Sequence, residues 1–178
     1  YKPEHGDREE PTEASKATAE RAWSILHCCK RLPGTQPDES INGDIFYKFI
    51  KEVRDLCRVA DRPTMCDQTL GQILAHAPAN EDGTWPFAPV RELLDSPDLE
   101  EMRLGFCIGT SNKRGATSRS PWDGGDQERT LATYFRDQAM RIQCSHPVVA
   151  TMLEGIAKSY ERHGKREDIE ANLRKESF

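Results

Sequence analysis

The residues whose types could do chemistry are concentrated in one stretch, 105–129, which reads GFCIGTSNKRGATSRSPWDGGDQER. Its cations and amide side chains are groups that bind anions. Two adjacent glycines lead from it into a segment with helical spacing, where free backbone amides could face a phosphate. The stretch therefore offers a candidate anion site, whose binding residues would be Asn112, Lys113, Arg114, Arg119, Gly124, Gly125, Gln127 and Arg129.

The same stretch lacks the motifs that make a phosphate site specific. Neither GxxxxGK followed by Ser or Thr nor GxGxxG after a strand occurs. Asp123, Asp126 and Glu128 lie at the same predicted helix start, where they already supply the negative charge that a helix dipole favours. We therefore favour a structural interpretation, in which these acids pair with the arginines and tie residues 105–129 down as a loop. A partner surface and a phosphate or nucleotide site are the alternatives.

The other reactive side chains form no catalytic or metal-binding pattern. The five histidines are scattered, without HExxH or another pair at metal-ligand spacing. Cys107 with His76 or His146 is the one thiol–imidazole combination to consider, but a cysteine near an apolar helix end is typical of a core. We predict no catalytic residue, metal or cofactor. We expect buried free thiols in a reducing compartment at Cys28, Cys29, Cys57, Cys66, Cys107 and Cys144.

The three tryptophans have different predicted roles. Trp23 fits a helical apolar stripe and is expected in a core. Trp85 and Trp122 lie in connections beside prolines, where each could pin its connection onto the helices. An exposed tryptophan would instead indicate a binding hot spot.

The composition is that of a soluble helical protein. Of 178 residues, 36% are hydrophobic and 31% are charged, and no apolar run approaches the roughly 20 residues needed to cross a bilayer. The net charge of −5 argues against a dedicated nucleic-acid binder. Because Tyr1 stands where an initiator methionine would be, we expect a piece excised from a longer, cytoplasmic protein.

Three- and four-residue spacing of apolar side chains predicts helices along nearly the whole chain. Gly164 is expected to end one helix, while Ser96 and Ser145 are expected to cap the helices that follow them. The fold class is therefore all-α, an irregular bundle of about seven or eight helices, with a short α-solenoid of helical hairpins as the alternative. We predict a flexible arm over 1–11 and a single helical domain over 12–178. The predicted helices are 12–31, 44–60, 64–77, 88–95, 97–108, 123–144, 146–163 and 165–175.

Three segments carry a resemblance: EDGTWPFAPVRELLD, GTSNKRGATSR with GGDQERTLATYFRDQA, and SHPVVATMLEGIAKSYE. From about Trp23 onward, the chain resembles a helical C-terminal region of long, uncharacterised bacterial proteins. The resemblance implies one domain of a larger cytoplasmic protein, and it carries over no catalytic residue.

The sequence thus favours a non-enzymatic helical accessory or interaction domain of a larger bacterial protein. Its loop, residues 109–125, would either lock the fold or contact a partner. The expected partners are other domains of the same full-length protein or a separate protein, and no membrane. The alternative is an anion- or nucleic-acid-binding module that uses the basic, glycine-rich loop 109–125.

Overall fold

The computed structural model describes residues 12–38, 40–115, 118, 120 and 122–176. Over these residues the protein is all-α, as predicted, and its only β-pairing is an isolated bridge between Thr35 and Ile41. No helix in this part is both long and apolar enough to span a bilayer. The seven helices are α1 (Glu13–Cys28), α2 (Gly43–Val59), α3 (Pro63–Leu74), α4 (Ala88–Asp95), α5 (Glu100–Lys113), α6 (Asp126–Ile142) and α7 (Pro147–Glu176).

The chain divides into two compact units, residues 1–30 and residues 31–178. In the first unit, α1 is the described element. The predicted arm over 1–11 and the side chain of Trp23 lie outside the described structure, and a single domain over 12–178 stays a prediction. In the second unit the main helix pairs are α3 with α5 and α6 with α7, with smaller contacts from α2 to α3 and from α4 to α7.

Glycines bring the backbones of α3 and α5 into direct contact. A Cβ placed on Gly71 would lie 2.0 Å from the carbonyl oxygen of Met102, and one on Gly105 would lie 2.0 Å from that of Gln68. Gly109 packs against α3 in the same way. The prediction of a loop over 105–129 is therefore wrong at its beginning. These glycines belong to a helix that continues to Lys113, and they are small because another helix crosses there.

A second glycine contact joins the start of α6 to the middle of α7. A Cβ on Gly125 would lie 2.3 Å from the Cα of Gly164. The prediction that Gly164 ends a helix is wrong, because α7 runs unbroken from Pro147 to Glu176. The missing side chain lets α6 approach the helix, and the surrounding turns keep the backbone helical.

The core of the second unit is built around aromatic rings. Trp85 lies between Phe106 and Phe135, and Phe135 stacks on Tyr160. The indole N–H of Trp85 donates to the carbonyl of Ala77 at 2.8 Å, so this tryptophan pins its connection as predicted. For Trp122, which is 43% exposed, pinning stays a prediction.

Neither predicted serine cap forms. α5 begins at Glu100 instead of Pro97, and the left-handed φ of 58° at Asp98 separates Ser96 from the helix. At the start of α7, the carboxylate of Asp95 accepts the N–H groups of Val148 and Val149 at 2.9 and 3.1 Å. A carboxylate at the end of α4 therefore caps α7 from a distant point in the chain.

All six cysteines are free thiols, as predicted, but their burial differs. Cys66 is buried, Cys28 and Cys144 are exposed, and the other three are half-buried. The prediction of six buried thiols is thus wrong for the two exposed residues, which lie at the end of α1 and just beyond the end of α6.

Candidate functional site

An open groove separates α5 from α7 in the second unit. Because α5 packs on α3 and α7 packs on α6, these two helices contact each other only briefly. The groove consists of two adjoining cavities of about 530 and 400 Å³, which share Cys107 and Met152 in their walls. Its described lining residues are Arg103, Leu104, Cys107, Ser111, Arg114, Val148, Thr151, Met152, Gly155, Ile156, Ser159, Tyr160 and His163.

Away from Arg114, the groove is largely apolar and accessible. Leu104 is 49% exposed and Val148 is 40% exposed, although both lie on helices whose other faces are buried. A Cβ added to Gly155 would meet nothing within 4 Å, so the wall of α7 is open at this point. Large exposed apolar side chains gathered in one concave place are typical of an interaction site.

One end of the groove is polar and positively charged. The Arg114 guanidinium donates to the carboxylate of Glu128 at 2.5 Å and lies 5.6 Å from the centre of the Tyr160 ring. Glu128 is only 1% exposed, so this ion pair anchors the start of α6 against the end of α5. The His163 ring meets Tyr160 edge-on and completes this end.

Two reactive groups in the groove, the Cys107 thiol and the Tyr160 hydroxyl, have raised pKa values. Burial raises the pKa of the Cys107 thiol above its ordinary value, and a thiol rather than a thiolate is a poor nucleophile. Burial also raises the pKa of Tyr160, with Arg114 acting in the opposite direction. Neither His76 nor His146 is among the described lining residues beside Cys107. Cys107 therefore lies in the groove as a neutral thiol, without either of the two predicted histidine partners beside it.

The structure separates the predicted binding residues into two places. Arg114 lines the groove, and Asn112 and Lys113 precede it in the exposed last turn of α5. Gly124, Gly125, Gln127 and Arg129 lie at the start of α6, where the Gln127 amide donates to the carbonyl of Ser118 at 3.3 Å. Arg119 lies outside the described residues.

The start of α6 is already bonded to a carboxylate of this chain. Asp168 of α7 accepts the N–H of Gly125 at 2.8 Å and the guanidinium of Arg129 at 2.6 Å. Arg129 also pairs with Asp126. The Gly125 N–H first, and Arg129 second, hold the pKa of Asp168 below its usual range. A carboxylate therefore lies where an anion was predicted, which agrees with the structural interpretation of this stretch.

Sequence reasoning missed the α7 wall of the groove. Residues such as Met152, Ile156 and Tyr160 belong to one apolar stripe of the predicted helix 146–163, and none of them was predicted as a site residue. The available signal was the width of that stripe. It includes the adjacent residues Val148 and Val149, so it is wider than the surface that a single neighbouring helix covers. A stripe that wide indicates a helix with two apolar partners.

Two further results bear on the site. Within the described residues, no group of three or more His, Cys, Asp and Glu side chains is placed to hold a metal ion. No known protein family matches the chain, and comparison with curated proteins and with solved structures finds no similar protein.

Proposed function

We propose that this chain is a helical interaction domain that receives the apolar face of an amphipathic helix in the groove between α5 and α7. The observation that carries the proposal is the groove itself, an apolar, accessible channel between two helices that are otherwise well packed. The partner helix belongs either to another domain of the same full-length protein or to a separate protein.

The dimensions of the groove suit a helix of about three turns. At about 1.5 Å per residue, the lining positions 103–114 of α5 extend about 16 Å and positions 148–163 of α7 extend about 22 Å. Helix-in-groove recognition uses apolar side chains at i, i+3 or i+4, and i+7, which fill such a length. Leu104, Val148 and Met152 provide the apolar contacts on this chain.

The contacts of the basic stretch weigh against the anion-binding alternative. Arg114 is paired with Glu128, Arg129 is paired with Asp126 and Asp168, and the Gly125 N–H is bonded to Asp168. An incoming phosphate would have to displace carboxylates that are held in place by the packing of α6 and α7. These contacts favour the interaction domain over the anion- or nucleic-acid-binding module.

The proposal is tested with two substitutions at one position. Gly155→Trp fills the groove, whereas Gly155→Ala leaves most of it open, and neither Cβ meets a neighbouring atom. A displayed library of amphipathic helical peptides is selected against the unmodified protein. Enriched peptides should carry an apolar stripe, and they should bind the alanine variant but not the tryptophan variant. The proposal is refuted if no helix enriches, or if enriched helices bind the tryptophan variant equally well.

A further inference from the structure

Charges are divided unequally around the groove. Its described lining contains no carboxylate and includes Arg103 and Arg114, the second of which is paired with the buried Glu128, although the whole chain has a net charge of −5. The lining thus has an excess of positive charge, whereas the chain as a whole has an excess of negative charge. This difference therefore marks this face as different from the rest of the surface.

Three acids of α7 pair with arginines of α6. Glu154 and Glu161 both pair with Arg136, and Asp168 pairs with Arg129. The α6–α7 contact thus occupies part of the negative charge of α7, although Glu161 also lies near Lys165 of its own helix.

The basic residues of α7 continue the face that lines the groove. Lys158, Arg162 and Lys165 follow Gly155 at steps of three and four residues, so all four share one side of the helix. Arg162 and Lys165 are exposed and form no ion pair with another described residue, and neither does Lys113 at the end of α5. Lys158 has one distant pair, 3.9 Å from Glu154.

We propose that the groove selects an acidic amphipathic helix, whose carboxylates flank its apolar stripe and meet Lys113, Arg162 and Lys165. This inference rests on the proposed function and adds the chemistry of the partner. Complementary charge raises the rate of association and rejects helices with basic flanks. The carboxylates gather near the Arg114 end of the groove, where the exposed cations are most numerous.

A helix fits these observations better than a nucleic acid does. The two arginines that line the groove are already bonded within the chain, Arg103 to the carbonyls of Leu94 and Ser96 and Arg114 to Glu128. The middle of the groove is apolar and offers nothing to a phosphate backbone. A net charge of −5 also opposes the long-range attraction that nucleic-acid binding uses.

The test uses two synthetic helical peptides with the same leucine stripe, one flanked by glutamate and one by glutamine, and a single-stranded RNA 20-mer. Affinities are measured by fluorescence polarisation at low and high salt. We expect the glutamate peptide to bind about tenfold more tightly at low salt, because several exposed ion pairs of modest strength add together. The preference should shrink at high salt and disappear in Arg162→Glu/Lys165→Glu.

The control is Lys48→Glu/Lys51→Glu on α2, which makes the same change in net charge outside the groove and should keep the preference. If the two peptides bind the unmodified protein with equal affinity and neither binds the Gly155→Trp variant, the proposal of an acidic partner is refuted. That result leaves the proposed helix-binding function intact. Absence of peptide binding overturns both proposals. RNA binding that depends on Arg162 and Lys165, without peptide binding, overturns them in favour of a nucleic-acid surface.

Discussion

Replacing Gly105 by alanine should destabilise the protein, whereas the same change at Gly155 should stabilise it. Both glycines lie inside helices, so each substitution gains about 1 kcal/mol of helix propensity. They differ in their surroundings. The new Cβ at Gly105 would lie 2.0 Å from the carbonyl oxygen of Gln68, about 1 Å closer than real Cβ atoms approach, whereas at Gly155 it meets no atom within 4 Å.

The clash at Gly105 is with backbone, which a rotamer change cannot relieve. The helices α3 and α5 have to separate along their contact, and overpacking of this kind costs about 1–3 kcal/mol. Because the overlap is large, we place Gly105→Ala near the upper value. After the propensity gain is subtracted, we expect a net loss of about 2 kcal/mol in the free energy of unfolding.

Urea denaturation followed by circular dichroism measures both variants against the unmodified protein. The expected difference between them is about 3 kcal/mol, the sum of the loss at Gly105 and the gain at Gly155. If the two variants are equally stable, the direct contact between the α3 and α5 backbones is refuted. If Gly155→Ala is destabilising as well, the open space beside α7 is refuted.

Three further results are expected. Asp95→Ala should lower the free energy of unfolding by about 0.5–2 kcal/mol in a urea titration, because it removes the cap of α7. An unchanged free energy of unfolding would contradict the cap. Asp168→Asn should be less stable than the unmodified protein at pH 7. Because the folded-state pKa of Asp168 is lowered, its contribution is present above the ordinary carboxyl pKa and is lost as pH falls through the lowered value. The two proteins should therefore converge in urea titrations as the pH falls below the ordinary carboxyl range, and a constant gap would contradict this. In timed alkylation with mass spectrometry, Cys28 and Cys144 should react first and Cys66, whose pKa burial raises to about 12, should react last, so early labelling of Cys66 would contradict its burial.

The helices were predictable where local spacing decides the structure. α4 was predicted as 88–95, and the strongly amphipathic α2 was displaced by only one residue. In both cases the apolar positions and the turn residues beside them are close in sequence. The information needed for the prediction is therefore contained in each segment.

Glycines misled the prediction because their reason lies on another helix. Gly105 and Gly109 were interpreted as marks of a loop, and Gly164 as the end of a helix. Each is instead explained by a partner far away in the chain, which is Gln68 for Gly105, Gln72 for Gly109 and Gly125 for Gly164. A single helical segment cannot show whether a glycine provides freedom or close approach.

The site was only partly predictable for a related reason. Arg114 was identified from its residue type and its basic neighbours, and it lies at one end of the groove. The groove itself depends on which helices do not pack together, and the width of the α7 stripe does not specify which neighbour is absent. The α7 wall, with Tyr160 and Met152, was consequently not predicted as part of a site.

The glycine contacts also limit how this chain can diverge during evolution. At both crossings backbone meets backbone, so an enlarged residue on one helix cannot be compensated by a smaller one on the other. Most exposed positions can drift freely, while these few have to stay small or the two helices have to shift together. Distant relatives would therefore be recognised less by overall identity than by small residues spaced as they are here, at Gly71, Gly105, Gly109, Gly125 and Gly164.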